Sequence, residues 1–188
     1  MKVESPVTNA TISIENNCVI TGAQLNQPTF QLNSNNTELT FLNIESLGAL
    51  IGSPNTGEAA DTIINFSNAI AKSSVIEANT GQAFINIDSD SKLTGKCKFN
   101  LGENNDTVNI DGTIKKLIIN NGNDTSEDKI TISDLDSIQK KLKIKRFGEE
   151  DRLVIEGDTF KYQALDDKEL RNELKELGIV VNLLDNNR

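Results

Sequence analysis

Short apolar pairs, each split by one intervening residue, recur along the chain at nearly one spacing. They are Ile64/Phe66, Ile85/Ile87, Val108/Ile110, Ile130/Ile132 and Leu153/Ile155, with steps of 21, 23, 22 and 23 residues. Leu42/Ile44 lies 22 residues before the first pair and extends the series backwards. Alternation over so few residues describes a strand with one buried face. A strand repeated at this period predicts a stacked β-solenoid, in which each coil covers the apolar surface of its neighbour. A second series follows the first. Cys97/Phe99, Leu117/Ile119 and Leu142/Ile144 lie 12, 9 and 12 residues after Ile85/Ile87, Val108/Ile110 and Ile130/Ile132. Two strands per coil plus corners account for the period.

The fold class predicted is all-β: a parallel β-helix or β-solenoid with coils of about 22 residues and a C-terminal α-helical cap. The solenoid takes residues 1–165 and is clearest from 42 to 155. Residues 1–44 alternate less regularly, as atypical first coils or a small β cap. Residues 45–60 hold Gly48, Gly52, Pro54 and Gly57, a loop or a coil with an insertion. Gly57, Gly81, Gly102, Gly122 and Gly148 open successive coils, where corners with positive φ are expected. Residues 166–188 form the capping helix and an apolar tail. Leu170, Leu174 and Leu177 share one helical face, Asp166 with Glu169 predicts the N-cap, and Gly178 fits the C′ position. Such a helix would cover the apolar end of the last coil. In the tail, Ile179, Val181 and Leu183 alternate as a strand that pairs locally or docks on another subunit.

Composition narrows the function. Aromatics are 4% of the chain, with no Trp and one Tyr, so Ile, Leu and Val must fill the core. Without His, His-based triads and His-ligated metals are excluded. Tyr162 alone offers little for stacking sugars, and no glycine loop followed by Lys-Ser/Thr is present. No run approaches the roughly 20 apolar residues of a membrane helix, and the opening residues lack a leader's apolar stretch. Cys18 and Cys97 fit no disulfide framework or zinc spacing and are read as buried free thiols. The net charge of −9 disfavours nucleic acid and anionic membranes as partners.

Two columns emerge when the coils are stacked. Asn65, Asn86, Asn109, Thr131 and Val154 fall between the apolar pairs and so face outward, where amides can bond along the stack. On the second strand Lys96, Lys116 and Lys141 occupy matching positions, and Lys98 matches Lys143. Residues 1–60, by contrast, have Lys2 as their only basic residue. A basic stripe on an acidic rod suits docking to an acidic protein surface.

The repeat also carries aspartates. Gly102 leads to Asp106, Val108 and Ile110, and Gly148 to Asp151, Leu153 and Ile155. A longer version runs from Gly122 through Asp124 and Asp128 to Ile132, and a fourth links Gly57 and Asp61. At these positions the chain resembles the hemolysin-type calcium-binding nonapeptide repeats. The resemblance implies Ca²⁺ held by Asp106, Asp124, Asp128 and Asp151, and an extracellular or cell-surface protein exported by a C-terminal signal. The family's double Gly is missing, and these coils are longer than two nonapeptides. Turn chemistry alone reads the same aspartates as caps that accept backbone N–H groups, with no cofactor. As a short, Asn-, Ile- and Lys-rich solenoid, the chain also looks like the accessory proteins of phage virions. That likeness implies a non-enzymatic decoration, fibre or tail-adaptor protein located in the virion. Its partners would be other structural proteins, or further copies in a homo-oligomer such as a trimer.

Overall fold

The alternating apolar residues become two stacks of parallel strands. A computed structural model describes residues 7–8, 11–14, 17–21, 24–32, 37–52, 61–78, 81–122 and 125–184. In chain order the strands are β1 (Val7–Thr8), β2 (Thr11–Ile14), β3 (Cys18–Thr21), β4 (Gln24–Leu32), β5 (Thr37–Leu42), β6 (Ser46–Gly52), β7 (Thr62–Ser67), β8 (Ile70–Ala71) and β9 (Val75–Glu77). There follow β10 (Ala83–Ile87), β11 (Lys92–Asn100), β12 (Thr107–Ile110), β13 (Thr113–Asn120), β14 (Lys129–Ile132), β15 (Ile138–Phe147), β16 (Arg152–Ile155), β17 (Asp158–Lys161) and β18 (Ile179–Leu183). The first sheet stacks β3, β5, β7, β10, β12, β14 and β16 in parallel, with β17 added antiparallel at its end. The second runs β1, β4, β6, β8, β11, β13, β15, β18, with β2 beside β4 and β9 between β6 and β11. The chain alternates between the sheets, which is a β-solenoid.

Register follows the sequence period. Ile64, Ile85, Val108, Ile130 and Leu153 stack directly, and all are buried. The second series stacks equally well, with Cys97, Leu117 and Leu142 in one column and Phe99, Ile119 and Ile144 in the next. Each second strand is kinked: pairing shifts between Leu93 and Lys96 in β11, and its two ends meet the separate strands β8 and β9. A coil therefore holds three short strand segments where the periodicity suggested two.

The expected backward extension through Leu42/Ile44 is wrong by three residues. Ile64 and Phe66 sit over Leu39 and Phe41, a step of 25. The alternative lost because Leu39 and Phe41 continue the inward alternation of β5, whereas Leu42 faces outward. The extra length follows from residues 53–60, which hold Pro54 and Gly57 and lie outside the described residues. Upstream, Cys18 and Ile20 pair with Leu39 and Phe41, so the first coils keep the same register rules.

The corner glycines also differ from expectation. Among the described residues only Gly157 and Gly178 have positive φ among glycines, so Gly81, Gly102, Gly122 and Gly148 do not supply left-handed corners. Asn43, Asn68 and Asn104 do, at φ of 54, 48 and 92°, as asparagine tolerates this region better than most residues. Glycine is required instead where backbones touch. A Cβ on Gly95 would lie 1.2 Å from the Lys72 carbonyl oxygen, and one on Gly112 would lie 2.4 Å from that of Asp88.

The core is aliphatic with one aromatic file. Phe30 meets Phe41 edge-on at 5.4 Å, Phe41 stacks on Phe66 at 5.6 Å, and Phe66 on Phe99 at 6.4 Å. At the C-terminal end β17, α1 (Tyr162–Leu165) and α2 (Lys168–Glu176) close the stack, burying Leu165 and Leu174. Asp167, not Asp166, is the N-cap of α2: its carboxylate accepts the Glu169 N–H at 2.8 Å. Gly178 follows the helix at φ 85°, as expected of C′. The tail returns as β18, parallel to β15. Ile179 and Val181 are thereby buried in the chain's own core and Leu183 packs against it, so these residues bind locally and do not present a docking strand.

Candidate functional site

The aspartates of the calcium-like motif are committed to the backbone. Asp106, Asp128 and Asp151 fall just before stacked strands, so they occupy one corner column. All three are at most 3% exposed. The Asp151 carboxylate accepts the Asp128 N–H at 2.9 Å, and the Asp128 carboxylate accepts the Asp106 N–H at 3.0 Å. The Asp106 carboxylate accepts the Ala83 N–H at 2.6 Å and the Gly102 N–H at 3.1 Å. Asp151 also takes the Gly148 N–H and the Asn121 amide, both at 2.7 Å. Each carboxylate thus satisfies buried donors of its own corner or of the coil before it, the role turn chemistry assigned. Among the described residues no group of three or more His, Cys, Asp or Glu is arranged to hold a metal ion. Asp124 lies outside the described residues.

The outward asparagine column forms as expected. Asn109 donates to Asn86 and Asn86 to Asn65, each at 2.8 Å, and Asn65 continues to Glu38 and Thr40. A second ladder, absent from the sequence reading, runs along the other sheet: Asn120 donates to Asn100, and Asn100 to Glu77 at 2.7 Å. Register partners Asn100 and Asn120 could have revealed it. The first ladder floors a shallow groove, edged by Ser67, Asp88, Asp111 and Ser133. Partial burial pushes the Asp88 carboxyl up; hydrogen bonds from Ser91, Ser67 and the Asn68 N–H together outweigh it, so its pKa sits below the ordinary 3.8. Burial pushes the Cys97 thiol up to about 11. Cys18 is only half-buried, which corrects the expectation for that thiol.

The lysine stripe lacks a counter-charge among the described residues. Lys96, Lys116 and Lys141 stack in one column, while Lys98 and Lys143 flank Ile118 in the next. Alternation explains their placement, because Cys97, Leu117 and Leu142 between them point inward. Strands β11, β13 and β15 together carry ten of the chain's 19 basic residues and no Asp or Glu. Among the described residues none of Lys96, Lys98, Lys116, Lys141 or Lys143 forms an ion pair; ion pairs form elsewhere, as at Arg152–Glu127 and Arg171–Asp166. Adjacent lysines in a column stand about 4.8 Å apart at their backbones, so their charges repel. A partner that brings negative charge would relieve that repulsion.

These features define a single β-solenoid with an acidic corner ladder and one basic face. No family model, curated protein or solved structure matches the chain.

Proposed function

We propose that this protein is a non-enzymatic structural component of a larger assembly, and that it docks through the basic face of β11, β13 and β15 onto an acidic protein surface. The observation that carries this reading is the column Lys96, Lys116, Lys141, repeated on a rigid sheet without a counter-charge among the described residues. Rigidity supports it, since ordered side chains lose less entropy on binding. The titratable residues of the corner ladder are buried against backbone donors and offer no acid–base pair to a substrate. The setting proposed is a phage virion, as a decoration, fibre or tail-adaptor protein, on the style of the sequence.

The test is the triple variant Lys96→Gln, Lys141→Gln, Lys143→Gln, produced in the cell that encodes the protein. Wild type should travel with a high-mass particle and leave it at about 1 M salt, where the Debye length is about 3 Å. The variant should fold with an unchanged melting temperature and stay off the particle. A variant that remains particle-bound would sink the reading.

A further inference from the structure

The basic face has an acidic counterpart on the same molecule. Where the chain turns from the first sheet into the second, four successive corners project carboxylates: Asp88 and Asp90, then Asp111, then Asp134 and Asp136, then Glu156. No Lys or Arg lies within 88–91, 111–112, 133–137 or 156–158. The corners stack through backbone bonds from Asp111 N–H to Ile87, Ser133 N–H to Ile110 and Glu156 N–H to Ile132. All but the half-buried Asp88 are exposed. The carboxylates therefore form a ridge with the same coil-to-coil pitch as the lysine column.

We infer that the acidic partner of the lysine face is a second copy of this chain, which presents its corner ridge along the column Lys96, Lys116, Lys141. Equal pitch lets one carboxylate-bearing corner meet one lysine row, coil after coil. The inference rests on the docking role proposed above and names its partner. A nucleic acid fits less well. The basic face is flanked on its other side by exposed Glu103, Glu149 and Glu150, so a broad polyanion would meet acidic rims, while a narrow ridge would not. The contact joins two different surfaces, so each copy keeps one of each free and association propagates into a ring or an array of rods. The face spans about three strands by about 30 Å, roughly 400 Å². That is half of the ~800 Å² per partner of a stable complex, so the association is weak and reversible.

The test uses the purified full chain in sedimentation velocity, at about 0.1 M and 1 M salt. Wild type should associate in a concentration-dependent way at low salt and be monomeric at high salt. A face variant (Lys96→Glu, Lys141→Glu) and a ridge variant (Asp111→Lys, Asp134→Lys) should each associate at least tenfold more weakly. The carboxylates introduced in the face variant cannot pair with a wild-type ridge but match the ammonium groups introduced in the ridge variant, so an equimolar mixture should regain association. Wild type that stays monomeric at low salt overturns the inference, as does association insensitive to salt or a mixture that regains nothing. Each of these results leaves the docking role to be judged by particle binding of the glutamine variant.

Discussion

A Cβ on Gly95 would sit 1.2 Å from the Lys72 carbonyl oxygen, inside any van der Waals limit. Gly95→Ala should therefore force the two coils apart and cost about 3 kcal/mol or more, read from urea unfolding. Gly48→Ala, whose Cβ would find its nearest atom at 3.9 Å, should change stability by less than about 1 kcal/mol. At the corner ladder, Asp151→Ala would strand the N–H groups of Asp128 and Gly148 and the Asn121 amide. Unpaired buried donors cost about 1–3 kcal/mol each, so a loss of at least about 3 kcal/mol is expected. Asp88 gives a sign for pH dependence. Its folded pKa lies below 3.8, so its contribution is complete above that value and disappears as pH falls through the depressed one. Asp88→Asn should flatten that acid limb in unfolding curves taken between about pH 5 and 3. Cys97, buried and pushed up to about 11, should resist alkylation in the folded protein while Cys18 reacts.

The strands were legible because two-residue alternation and a near-constant step both survive in sequence. Ile85, Val108, Ile130 and Leu153 need no structure to be aligned, and their register is as the spacing predicts. The first coils were harder to read, because the inserted residues 53–60 shift the frame and make Leu42/Ile44 a false match for Leu39/Phe41. The aromatic file escaped for a related reason: Phe30 and Phe99 come from the second sheet and Phe41 and Phe66 from the first, so contacts across the core leave no period. Phe66 sits in the middle of that file, and Phe66→Ala should cost about 3–5 kcal/mol by loss of packing and creation of a cavity. The close approaches at Gly95 and Gly112 also left no signal, since glycine in a strand reads equally as a bulge. The cap helix was visible in Leu170 and Leu174, but its start moved by one residue because Asp167 has the extended backbone that an N-cap needs.

At the scale of the whole molecule, charge is sorted by the fold. A chain of net charge −9 gathers ten basic residues on three neighbouring strands and sets stacked carboxylates on the corners beside them. The lysine columns could be read from matching positions in consecutive coils. The counter-ridge could not, because Asp88, Asp111, Asp134 and Glu156 share no motif and become neighbours only through the stack. The central claim is that the lysine face is the surface by which this rod joins its assembly. Amine-reactive footprinting tests it most directly, comparing the isolated chain with the assembled one. Lys96, Lys98, Lys141 and Lys143 should lose at least about tenfold in labelling rate on assembly, as expected when a charged group is covered by a partner. The exposed Lys129, Lys161 and Lys168, which lie off that face, should keep theirs. Equal labelling of Lys96 and Lys141 in both states, with protection appearing elsewhere, would contradict the account.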